Sequence, residues 1–124
     1  MSDYTQAESI DSLLSALRQR NPDIGGVLVI TSEGFPVASD LGPDMDEEAL
    51  AAVCADLFSH AHRSVSEVGA QVASELYVRS DTGYMLAFRV SEEAVLMSCA
   101  SSNVSLGLLV LECRRAAQAA ASLI

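Results

Sequence analysis

The sequence predicts one α+β domain over residues 1–124, with element order α-β-β-α-β-β-β-α and a five-stranded antiparallel sheet. Three observations carry this reading. Apolar residues recur with helical period in three segments. Between those segments lie five short runs of strand length, rich in aliphatic and β-branched residues. Only tight turns join successive strands, and a parallel pair needs a much longer crossover.

The first helix is expected over residues near 4 to 20, where Ile10, Leu13, Leu14 and Leu17 form an i, i+3, i+4, i+7 stripe. Arg18 and Arg20 suit its C-terminal dipole, and Asn21-Pro22 stops it. Gly26 to Thr31 is a continuous apolar run, as expected of a strand covered on both faces. After a Ser32-Glu33-Gly34 turn, Phe35 to Ser39 forms a second strand, which Pro36 assigns to an edge because proline donates nothing to a ladder. The second helix opens on Asp44 to Glu48, with Asp44 and Glu47 at capping-box spacing. Its expected core stripe is Leu50, Val53, Cys54, Leu57, Phe58, Ala61, Val65 and Val68, ending near Gly69. A three-strand meander follows over 74–79, 84–90 and 94–99, turning at Asp81-Thr82-Gly83 and Ser91-Glu92-Glu93. Ser102 or Asn103 is expected to cap the last helix. There Leu106, Leu109, Val110, Cys113, Ala117 and Ala120 face inward, with Glu112, Arg115, Gln118 and Ser122 opposite.

Charge narrows the choice of partner. Seventeen acidic residues stand against seven basic ones, all arginine, for a formal charge of −10. Affinity for phosphate backbones and anionic lipid depends on Lys and Arg, so neither nucleic acid nor a membrane surface is an expected partner. Cys54, Cys99 and Cys113 are odd in number and embedded in apolar segments, which predicts free thiols rather than a disulfide framework. The first 20 residues are acidic without an apolar run, and Val104–Leu111 is too short to span a bilayer; a cytoplasmic protein is expected.

Catalytic and ligand-binding signatures are sparse. No G-x-x-x-x-G-K-[ST], G-x-S-x-G or H-E-x-x-H string occurs. His60 and His62 are two apart on a helix and so point about 200° apart, unlike metal-binding pairs at i, i+4. No catalytic, cofactor or metal role is therefore expected. Helix two carries a second stripe of small residues, Ala51, Ala52, Ala55 and Ser59, apart from its expected core stripe. Small side chains allow close approach of another helix, although alanine is also simply the best helix former. Arg63 follows, either at an interface or paired with Glu67 at i+4.

Several strings resemble the Roadblock/dynein light chain family, whose bacterial members include MglB-like regulators of small Ras-like GTPases. They are Asn21 to Gly26 entering the first strand, Glu33 to Ser39 in the hairpin, Leu50-Ala51-Ala52 in the second helix, and Asn103 to Gly107 opening the third. The resemblance spans about the whole chain. It implies helices one and three on one sheet face and helix two on the other, with a homodimer joined through third strands and second helices. It also implies a small Ras-like GTPase seated on the paired second helices, its hydrolysis stimulated by reorienting its own residues. The residues that then form the partner or dimer interface are Ala51, Ala55, Phe58, Ser59, His62 and Arg63 on the helix, with Glu75 and Tyr77 on the third strand. The sequence ends at the third helix without the C-terminal tail of MglB-like proteins, so only tail-independent activity is expected. The alternatives are a small-ligand sensor module and an assembly scaffold without GTPase-regulating activity.

Overall fold

The computed structural model describes residues 9–69 and 72–124. In chain order they form α1 (Ile10–Arg20), β1 (Ile24–Thr31), β2 (Pro36–Leu41), α2 (Glu47–Glu67), β3 (Glu75–Arg79), β4 (Gly83–Ser91), β5 (Ala94–Ser101) and α3 (Leu106–Ala121). One antiparallel sheet runs β2-β1-β5-β4-β3. The expected α+β class, element order and strand directions all hold, and β2 is an edge strand as Pro36 required.

The β1 run separates its side chains between two cores because successive residues point to opposite faces. Val27 and Val29 pack with Leu13, Leu14 and Leu17 of α1 and Leu109, Cys113 and Ala117 of α3. Leu28 and Ile30 pack beneath α2, with Ala51, Cys54 and Phe58. Helices one and three thus share one face and α2 has the other, which is why a continuous apolar strand was needed. On the first face, Arg18 of α1 ties down both adjoining strands. Its guanidinium donates to the Ile24 carbonyl (3.2 Å) and to the Asp40 carboxylate (2.7 Å).

Several boundaries differ from expectation. Ser9 caps α1 reciprocally with Ser12, so the described helix begins at Ile10; residues 4–8 lie outside the described part. Phe35 belongs to the turn and is largely exposed, while Gly34 adopts φ +100° there. Asp46, not Asp44, caps α2, its carboxylate accepting from the Glu48 and Ala49 amides (3.1 and 3.2 Å). Asp44 sits in the preceding turn, where the Met45 amide already closes onto the Gly42 carbonyl. Ser105, not Ser102 or Asn103, caps α3, because the Ser102 amide is held by the Thr82 carbonyl and the Val104 amide by Ser101.

Two side chains expected on the outer face of a helix are inside, and four expected inside are out, one of them Leu106 in the first turn of α3 at 37% exposure. Glu112 is buried against α1, accepting from Asn21 (3.2 Å) and ion-paired with Arg20 (3.4 Å) and Arg115 (3.8 Å). On α2, Ala51 is fully buried, whereas Val53 is 54% exposed, Leu57 37% and Val68 82%. The helix is rotated so that Ala51, Cys54 and Phe58 meet the sheet. The first turns of α2 lie close to the β1–β2 hairpin, where a Cβ at Gly34 would stand 3.3 Å from the Ala55 methyl and 3.6 Å from the Ala52 backbone, so small side chains are needed on that side. Val53 or Leu57 on that side would force the helix outward.

Candidate functional site

α2 crosses the sheet. Ser39 of β2 bonds Glu47 in its first turn, while Ala61 and Val65 near its end pack with Leu76 of β3 and Met85 of β4. Its outer surface exposes Ala52, Val53, Leu57, Ser59 and Arg63. Arg63 makes no ion pair with Glu67 among the described residues.

Along one flank of α2 a pocket of about 400 Å³ opens between the helix and the strand ends, lined by Ile30, Ser32, Ala55, Phe58, Ser59, His62, Val72, Arg89, Glu92 and Val95. Four of the eight expected interface residues, Ala55, Phe58, Ser59 and His62, are brought together here. Arg89 crosses the pocket on β4, its guanidinium carbon 5.1 Å from the centre of the Phe58 ring and its Nε donating to the Ala73 carbonyl (2.9 Å). The Ala73 amide donates in turn to His62 Nδ1 (3.4 Å). His60 is exposed and carries no such bond. Among the described residues no cluster of three or more His, Cys, Asp or Glu side chains could hold a metal ion.

Sequence reasoning missed Arg89 and Glu92. Arg89 continues the Met85, Ala87 alternation that faces α2, and a charged residue in phase with core positions is the signal that could have found it.

The other four residues lie elsewhere. Ala51 is beneath the helix and Arg63 on its outer side, away from the pocket. Glu75 and Tyr77 are on the opposite sheet face, since Leu76 between them packs toward α2. Glu75 forms a two-pronged pair with Arg114 of α3 (2.7 and 2.8 Å) and accepts from the Tyr77 hydroxyl. The Arg114 bonds hold the Glu75 carboxyl below its ordinary range. Desolvation, then the Glu75 hydrogen bond, raises the Tyr77 hydroxyl. The Tyr77 ring rests against Phe88, centroids 6.2 Å apart.

That clasp steadies an open edge. Ser74 accepts from the Arg89 amide and the Ser80 amide donates to Gly83, so even-numbered residues of β3 turn their backbone groups toward β4. The N–H and C=O groups of Glu75, Tyr77 and Arg79 therefore point away from the sheet.

This fold and sequence match a known domain: the family model of the Roadblock/LC7 domain covers residues 10–99. The chain belongs to the Roadblock/LC7 family. An uncharacterized protein of Methanocaldococcus jannaschii is 29% identical over 108 residues, spanning 87% of this chain and 90% of that protein. Among solved structures, Myxococcus xanthus MglB superposes with a TM-score of 0.85 at 17% identity, over 91% of this chain and 92% of that one. MglB in a tetrameric arrangement gives 0.84 at 17% identity, over 99% and 91%. At that identity the likeness is one of fold. Among the described residues no helix is long and apolar enough to cross a membrane.

Proposed function

We propose that this Roadblock domain acts as a homodimer that binds a small Ras-like GTPase, as regulator or scaffold, and performs no bond chemistry of its own. The observation that carries the proposal is the β3 edge, which no other strand covers among the described residues. An edge strand with outward N–H and C=O groups is a template for another strand. The opposite edge, β2, is blunted by Pro36, whereas β3 has no proline. Val53 and Leu57 on the outer side of α2 add exposed apolar area of the kind a partner covers.

The outward residues also select a register. Two β3 strands related by a two-fold axis must pair odd residues with odd. Placing Tyr77 on the axis uses all three outward residues and sets Glu75 opposite Arg79 of the partner subunit, an attractive cross-strand pair. Similarity to MglB-like proteins supports a GTPase as the further partner, with α2 as the face presented to it. On this reading Ala52, Val53, Leu57 and Arg63 make direct contact, and Ala51 acts only by letting α2 lie close to the sheet.

Sedimentation at micromolar concentration is expected to give twice the 13.1 kDa protomer mass, and immobilised dimer should retain a Ras-like GTPase in a nucleotide-dependent way. A protein that remains monomeric, or that retains no GTPase in either nucleotide state, would overturn the proposal.

A further inference from the structure

The pocket beside α2 has a chemistry that dimer formation does not require. Arg89 sits partly buried with its Nε bonded to Ala73 and its plane over Phe58, so the head group is held in place. Its terminal amino groups meet no acceptor among the described residues, although Arg presents five donors. Ser59 is equally unengaged. Ser64 and Ser66 on the same helix donate to the carbonyls four residues back, at 2.9 Å each, yet the Ser59 hydroxyl makes no bond among the described residues. His62 accepts at Nδ1, which leaves Nε2 to carry the proton of the neutral ring. Three donors of different kinds thus line one cavity whose walls are otherwise mostly apolar, from Ile30, Phe58, Val72 and Val95, with Ser32 and Glu92 also in the lining.

We propose that this pocket binds a small monocarboxylic acid with an apolar body, its carboxylate on Arg89 and Ser59 and its hydrocarbon part against Phe58 and Val95. The volume of about 400 Å³ lies in the range of small-molecule sites. A planar guanidinium with free terminal amino groups matches a carboxylate in two-pronged fashion. A phosphate dianion fits worse, because Glu92 shares the lining and the whole chain carries −10. The apolar walls exceed what a bare anion would use.

The test is titration of the isotope-labelled full chain with hexanoate, followed by amide NMR, with hexanamide and inorganic phosphate as parallel probes. Hexanoate should shift the amides of Ser59, His62 and Arg89 and bind about tenfold tighter than hexanamide, the difference expected of a hydrogen-bonded charge. Arg89→Met should weaken hexanoate by about tenfold or more, and Ser59→Ala by about fivefold. Ser59→Ala alters an exposed helix position, so it tests the site even if Arg89→Met does not fold. Equal affinity for hexanamide would reduce the site to an apolar crevice. Tighter binding of phosphate would give it to another ligand class. Tighter binding of a capped Val-Glu-Val peptide would assign it to a docked protein side chain. Absence of any shift at millimolar hexanoate would remove the site altogether.

Discussion

A cysteine placed at Tyr77 should crosslink two copies of the protein through the middle of their β3 strands. In the register proposed above, Tyr77 lies on the two-fold axis as a hydrogen-bonded antiparallel pair, with Cα atoms about 5.5 Å apart. That separation falls within the range a disulfide spans, about 4.4–6.8 Å. One residue on, the geometry changes sharply. Two copies of Val78 would be offset by two residues along the strand, about 6.8 Å, across a spacing of about 4.8 Å. Their Cα atoms would then be about 8 Å apart, beyond reach. The native thiols give a quiet background because all three are free and Cys54 and Cys113 are buried. Tyr77 is 46% exposed and its ring lies tilted beside Phe88, outside the buried core, so its removal leaves that core intact. The assay is mild air oxidation followed by non-reducing electrophoresis of Tyr77→Cys and Val78→Cys. Rapid dimer formation by the first and little by the second is expected. Preferential crosslinking at Val78 would refute the register, and failure of both would refute pairing through β3.

Three further outcomes follow from local geometry. Asp46→Ala should lower stability by about 1 kcal/mol through loss of the α2 cap, while Asp44→Ala should change it little; chemical denaturation distinguishes them. Gly83→Ala should destabilise by about 1–3 kcal/mol, since its Cβ would lie 2.3 Å from the Ala100 carbonyl oxygen and backbone must move. Gly107→Ala, with nothing within 4 Å on an α3 position, should stabilise by about 0.5–1 kcal/mol in the same melts. Burial pushes the Cys54 and Cys113 thiols up to about 12 and raises Cys99. Folded-state values above the unfolded one mean that this contribution to stability is intact below about pH 9. It is then lost as pH rises toward 12, so thiolate absorbance should appear together with unfolding rather than before it.

Strand content was legible in the sequence because the informative signals were local. The β1 run had to be covered twice, Pro36 had to be at an edge, and tight turns forced antiparallel neighbours. The face of α2 was not legible in the same way. Leu50, Val53, Cys54 and Leu57 repeat with helical period, and so do Ala51, Cys54, Ala55 and Phe58; Cys54 belongs to both. Hydrophobicity alone favours the larger set. What decides is the clearance beneath the helix, set by Gly34 and the hairpin turn far away in sequence. Glu112 was misplaced for a related reason: its partners, Arg20 and Asn21, lie on another helix, and only tertiary contact brings them together.

The rotation of α2 also explains why the candidate sites lie where they do. With alanine and cysteine turned to the sheet, the helix packs closely over β1 and β2, while its larger side chains divide between two tasks. Val53 and Leu57 remain outside, where they add nothing to the core and enlarge the surface open to a partner. Phe58 is the large α2 side chain that is buried outright, with Leu50 and Val65 only partly so, and beside it a cavity remains that Arg89 enters. A sealed core would have placed an aliphatic residue at position 89, in phase with Ala87. The opposite sheet face shows what sealing looks like: Leu13, Leu14, Leu17 and Leu109 fill it, and its charges close on each other through Arg18–Asp40 and Arg114–Glu75. An arginine held by its Nε and a phenyl ring, with no acceptor on its terminal amino groups among the described residues, is what the proposed carboxylate site on the flank of α2 would use.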